Sequence, residues 1–336
     1  MMEERPLTDG TIALRNLDAQ IDAFEPEVRA GHASVETRAG LTELISLRGL
    51  IVGRIADYEK AEEIAEQIVR DAPMDATALL ARARTRGGFH RFNDALADVD
   101  QAERFGLETE AANGERAAIL QAIGRYDESL ALREEAAARR PNFENSAALV
   151  SLHADRGEIE RAERSYQESC SRYRGVSPFP LALLDFQLGL MWMNAGRLDD
   201  ARRSFKAACR RVPGYAQAQG HLAEVEAELG EIDSAISCLQ LLAASSDDPD
   251  YAAQLARILA EDGRDDESRR WRQVAAARYD ELIAGRPEAF ADHAAEFWLA
   301  AGGDPEKALR LARLNVEVRN TPRARGLLAQ AVAASA

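Results

Sequence analysis

Cysteine is scarce in this 336-residue chain: three residues, Cys170, Cys209 and Cys238, an odd number with no CxxC spacing. That excludes a disulfide framework and a structural zinc site, and the thiols read as small buried apolar side chains. Aromatic residues make up only 6% of the chain against 46% hydrophobic residues overall. A core of Ala and Leu with so few rings suits closely packed helices better than a β-sandwich. Positive charge is the minority, with 42 Lys and Arg against 57 Asp and Glu, a net −15. A field of that sign repels phosphate backbones and disfavours nucleic acid as a partner. Lysine itself is limited to Lys60, Lys206 and Lys307. There is no run of about 18 apolar residues, so no membrane span is expected. Met1 to Pro6 has no apolar signal core, and the chain reads as cytoplasmic.

Catalytic and ligand motifs are missing as well. No G-x-S-x-G, G-x-G-x-x-G or G-x-x-x-x-G-K-[ST] occurs. Gly302-Gly303-Asp304-Pro305-Glu306-Lys307 has the wrong lysine spacing for a phosphate loop and reads as a turn. His32, His90, His153, His221 and His293 are scattered, with no H-x-x-x-H pair. Asp292, His293 and Glu296 read as a surface salt bridge along one helix. Asp247-Asp248-Pro249-Asp250 lacks the Gly and terminal Glu of a calcium loop and reads as helix capping. No catalytic residue, metal site or cofactor is expected, and the chain does not read as an enzyme.

What the sequence has is a period. Gly124-Arg125-Tyr126, Gly157-Glu158-Ile159, Gly196-Arg197-Leu198, Gly230-Glu231-Ile232 and Gly263-Arg264-Asp265 share one form. A small residue follows each triplet at a fixed distance. Ala56-Asp57-Tyr58, Arg91-Phe92 and Gly303-Asp304-Pro305 fit the same frame. The anchors are Ala61, Ala95, Ser129, Ala162, Ala201, Ala235, Ser268 and Ala308, with steps of 34, 34, 33, 39, 34, 33 and 40 residues. The long steps place a loop at 173–180 and extend one helix to Gly285. Small residues such as Gly49, Ala83, Ala117, Gly189, Ala223 and Ala256 sit where two helices must approach closely. Glycines permit the left-handed helix end, and Pro73, Pro141 and Pro213 stop the second helix of a pair.

This pattern resembles the tetratricopeptide repeat, W-x2-L-G-x2-Y, then A-x3-F, then P. The best copy is Asp185-x2-Leu188-Gly189-x2-Trp192, then Ala201-x3-Phe205, Ala208 and Pro213, departing by Asp for Trp and Trp for Tyr. The resemblance covers residues 42 to about 320. It implies an all-α fold, a right-handed superhelical solenoid of about eight helix-turn-helix repeats with terminal capping helices. Residues 1–40 read as N-terminal helices or a degenerate repeat, 41–320 as the repeat array, and 321–336 as a capping helix opened by Thr321-Pro322.

The resemblance further implies a concave groove lined by first helices, the usual peptide site. Its register puts Ser151, Asp155, Leu183, Phe186, Leu190, Met193 and Asn194 there, followed by His221, Glu224, Glu228, Arg257 and Glu261. Leu183, Phe186, Leu190 and Met193 make their helix apolar nearly all round, so something must cover it: a partner peptide or the 173–180 loop carrying Phe179. The family's carboxylate clamp of Lys and Asn is absent, the matching positions being Leu80, Ala81, Arg84, Ala111 and Glu115. An apolar or basic peptide suits the groove better. Arg70, Arg104, Arg139, Arg140, Arg172, Arg210 and Arg211 near second-helix ends read as complements to helix dipoles or, alternatively, as a basic docking edge. The expected function is a protein-interaction scaffold or adaptor with a protein or peptide partner and no set oligomeric state. The alternatives are a peptide-sensing regulator and a non-catalytic subunit of an enzyme complex.

Overall fold

The computed structural model describes residues 6–336; Met1 to Arg5, part of the segment read as lacking a signal core, lie outside them. The described residues form eighteen helices and no strand. None of the helices is long and apolar enough to cross a membrane.

Sixteen helices pair in sequence. The first four pairs are α2 (Val35–Val52) with α3 (Ile55–Asp71), α4 (Ala76–Gly88) with α5 (Phe92–Arg104), α6 (Thr109–Ala122) with α7 (Tyr126–Arg139), and α8 (Phe143–Asp155) with α9 (Ile159–Arg172). The next four are α10 (Phe179–Asn194) with α11 (Leu198–Arg211), α12 (Ala216–Glu228) with α13 (Ile232–Ser245), α14 (Pro249–Glu261) with α15 (Asp265–Gly285), and α16 (Pro287–Leu299) with α17 (Pro305–Val318). A lone helix stands at each end, α1 (Gly10–Arg29) and α18 (Pro322–Ala334). Thus residues 8–40 hold one helix and the start of α2 rather than a helix pair of their own.

The turn inside each of the first seven pairs is a Schellman end. A residue with positive φ follows the first helix, and the next amide bonds back to a carbonyl five residues earlier, whereas Asp304 N of the eighth pair reaches back six to Trp298 O. Arg125 N donates to Leu120 O at 2.8 Å, and Arg197 N to Trp192 O at 2.9 Å. Glycine occupies the left-handed position in seven pairs, with φ between 65° and 88°. The second pair places His90 there at φ 58°. In the first pair this turn lies at Gly53-Arg54, one helical turn before the Ala56-Asp57-Tyr58 expected from sequence. Ile55, Ala56 and Asp57 are already helical in α3. The spacing frame tracks the packed small residue Ala61, and a longer α3 moves the turn without moving Ala61.

Close approach explains the small positions. A Cβ on Gly189 would lie 2.5 Å from the Phe205 ring, so α10 and α11 touch through a residue without a side chain. At the C-terminus Thr321 caps α18, and Leu327 and Ala331 bury against α16 and α17.

The array winds far enough to meet itself. The turn of the first pair touches the loop after the sixth: Ser246 Oγ donates to Gly53 O, and Asp247 accepts from Ile55 N and Ala56 N at 2.6 and 2.9 Å. The second meets the loop after the seventh, where His90 Nδ1 lies 3.0 Å from Glu288 O. The third meets the loop after the eighth, where a Cβ on Gly124 would lie 2.6 Å from Asn320 O. Helix α1 continues this seam at its other end, with Thr8 N donating to Val176 O at 2.8 Å. A Cβ on Gly10 would overlap Arg211 O.

Candidate functional site on the concave face

The expected groove residues fall into an apolar and a polar group. In α10, Leu183 packs into a core built from α1, α2, α10, α11 and α12 with Ala61 of α3, whose buried members include Leu17, Ile21, Ile45, Ile51, Val212 and Tyr215. Phe186 borders the same core, its ring 5.2 Å from Tyr215, 5.7 Å from Phe205 and 5.6 Å from His221. Leu190 and Met193 are half-buried beside Trp192 and Phe205. Asn194 is exposed. The cover that the apolar helix demands is therefore largely the chain's own N-terminal helices. The 173–178 loop pairs instead with Thr8, and Phe179 starts α10 inside the same core.

The polar group begins on α8 and resumes on α12. Gln121 Nε2 donates to Asp155 at 2.6 Å and to Ser151 Oγ at 3.3 Å. Asp155 is open to the water of the concavity, yet the surrounding walls limit its solvation and raise its carboxyl, the bond from Gln121 opposing this. On α12, Glu224 lies 3.3 Å from His221 Nδ1 and accepts from Arg257 of α14 at 3.1 Å. Enclosure pushes Glu224 up, but His221 and Arg257 outweigh it and hold the carboxyl below its ordinary range. Arg257 also pairs with Glu261 at 3.1 Å, and Glu228 is exposed at the end of α12.

The strip continues onto residues that the sequence register did not assign to the groove. His293 of α16 sits 3.8 Å from Asp250 and 3.7 Å from Asp292. Enclosure opposes its charge, but Asp250 lifts the imidazole to about 9 and is itself held at about 2 despite enclosure. Asp292 is buried and pairs with Arg319, so the Asp292-His293-Glu296 group is no surface salt bridge. Glu296 pairs with Arg323 of α18 at 2.9 Å. The sequence signal for this extension was the His between carboxylates; the partners on α17 and α18 gave none.

Asp247-Asp248-Pro249-Asp250 is indeed a capping segment, but a divided one. Asp248 caps its own helix through Asp250 N at 3.0 Å, whereas Asp247 caps α3 from the far side of the seam. Cys209 shows what burial does to a thiol, which it pushes to about 12. Among the described residues no three His, Cys, Asp or Glu side chains converge as metal ligands.

Chemically, these first helices offer half-buried apolar residues on α10 and a set of polar residues in which carboxylates outnumber cations. Nothing in it pairs a nucleophile with a base. Two tetratricopeptide-repeat family models match the chain, over residues 147–216 and 193–258. No curated protein matches. The fold is similar to a chain of the APC/C hetero-tetramer Cut9-Hcn1, with TM-score 0.51 and 15% identity over 87% of this chain, which spans 55% of that one. It is also similar to the human IFIT1 dimer with m7Gppp-AAAA, with TM-score 0.58 and 16% identity over 94% of this chain and 76% of that one.

Proposed function

We propose that this chain, a tetratricopeptide-repeat protein, is a non-catalytic interaction scaffold that holds a partner polypeptide segment on its concave face. The segment it suits carries basic side chains with apolar ones between them. One observation carries this reading: the half-buried Leu190 and Met193 on α10 are followed on the next first helix, α12, by the carboxylates Glu224 and Glu228, and on α14 by Glu261. Arginine or lysine would pair with those carboxylates, while leucine-sized groups rest on Leu190 and Met193. The same acidic strip repels phosphate, which disfavours a nucleotide ligand of the kind present with IFIT1.

Phe186 packs against Tyr215, Phe205 and His221, so truncating it would disturb the core, and the test falls on the strip. A synthetic peptide alternating leucine and arginine is titrated by fluorescence anisotropy against the whole chain. Saturable, salt-weakened binding is expected, falling about tenfold when Glu224 and Glu261 both become Gln, equivalent to about 1.4 kcal/mol. Binding untouched by that double change, or tighter binding of m7Gppp-AAAA than of the peptide, would sink the proposal.

A further inference from the structure

The seam between the two ends of the array is made in two ways. Where α1 and α2 meet α10, α11 and α12 it is dry and apolar. Where the first two helix pairs meet the loops after α13 and α15 it is polar. Helix α3 has no side-chain cap of its own; its first two amides are held by Asp247, 192 and 191 residues away. Arg286 pairs with Glu62 and approaches Glu59 at 3.7 Å, its guanidinium 4.0 Å from the centre of the Phe89 ring. A cleft of about 1120 Å³ lies beside these contacts, walled by Glu59, Glu62, Glu63, Glu66 and Glu288 with Lys60, Arg91 and Arg286 as counter-charges.

We propose that this polar stretch is a latch, hinged on the apolar stretch, that opens to admit a partner segment to the concave face and closes over it. The inference rests on the scaffold reading above. Three features support it. Most contacts in the latch are polar and have an equivalent in water, its apolar part being limited to Gly53 against Tyr251 and Ala216 and Arg286 on the Phe89 ring. The cleft keeps the two walls from packing, and its five glutamates are held beside one another by the pairs that Arg91 and Arg286 make with Glu62, which salt weakens. The latch also reaches toward the site: beyond it the turn after α6 packs against Asn320, and α6 carries Gln121, which donates to Asp155 on α8.

The test uses the intact chain and needs no ligand. Hydrogen exchange at Ile55 and Ala56 reports the latch directly, because these first-turn amides have no partner inside α3 once Asp247 is withdrawn. Raising salt from about 0.05 to about 0.5 M shortens the Debye length severalfold. It should speed their exchange about tenfold while the amides of α10 stay protected. Arg286→Glu should produce the same change at low salt, and Arg286→Lys much less; circular dichroism confirms that each variant is helical. Exchange at Ile55 and Ala56 indifferent to both salt and Arg286→Glu would overturn the latch, as would equal acceleration in α10, which would mean general loosening. Titrating the leucine–arginine peptide alongside separates the two ideas. A latch that opens on schedule with no peptide binding condemns the scaffold site, and binding with a rigid seam condemns the latch.

Discussion

Along one seam this molecule joins its two ends by opposite means. Ile21, Ile45, Ile51 and Tyr215 in the α1–α2 stretch are at most 1% exposed and have no water-like substitute for their contacts. The α3 stretch is held by Asp247, Ser246, His90 and Arg286, each binding a polar group that water would also satisfy. Burial of apolar area is non-directional and lost on separation, whereas the net worth of an exchanged hydrogen bond is small. The lesson is that equal proximity along the seam does not mean equal cohesion.

The largest effect that would break this comparison is a core truncation. Ile45→Ala should cost about 2–5 kcal/mol, whereas Arg286→Ala, removing partly hydrated ion pairs, should cost about 1 kcal/mol or less. Denaturant unfolding of the two variants measures both, and near-equal costs would refute the division. Next in size is a pair of glycine substitutions. Gly196→Ala and Gly124→Ala both force alanine into a left-handed turn, at φ 70° and 85°, for about 1–2 kcal/mol. Nothing crowds a methyl on Gly196, but one on Gly124 meets Asn320 O at 2.6 Å. Gly124→Ala should therefore be worse by about 1–3 kcal/mol of overpacking. Thermal melts that fail to distinguish them would show the third pair free of the eighth in solution.

The repeat was legible because its causes are local. A left-handed residue, a small contact residue and a helix stop recur wherever a helix pair must fold back, so Gly196, Ala201 and Pro213 announce one another within a few turns of chain. The apolar excess of α10 was legible too, as a demand for cover. Its satisfaction by Leu17 and Ile21 was not, because contacts between residues more than 160 positions apart leave no period in the sequence. The same holds for Asp247, whose carboxylate looks like any helix cap until the coordinates show which helix it serves. Phe186 meets Tyr215, whereas Glu224 and Arg257 pair between neighbouring first helices, α12 and α14.

Asp247 offers a smaller and more selective comparison. Asp75 caps its own helix through Ala78 N at 2.9 Å, while Asp247 caps α3 across the seam. With the seam closed, Asp75→Ala and Asp247→Ala should each cost about 1 kcal/mol. If the seam is open in solution, Asp247→Ala becomes nearly silent in unfolding experiments while Asp75→Ala keeps its full effect.

The smallest effect is titration at His293. Its imidazole is raised to about 9 from an ordinary 6.5 by Asp250. A raised folded-state value means a contribution fully present below pH 6.5 and lost as pH climbs through 9. Stability should therefore fall gently between about pH 7 and pH 9, and His293→Gln should flatten that fall. The loss is modest because the His293 side chain is 44% exposed and its ion pair is screened. Nuclear magnetic resonance of the ring protons follows the group itself. An imidazole that titrates near 6.5 would show that Asp250 does not hold it, and the polar strip would then lack the fixed cation that separates its two acidic halves.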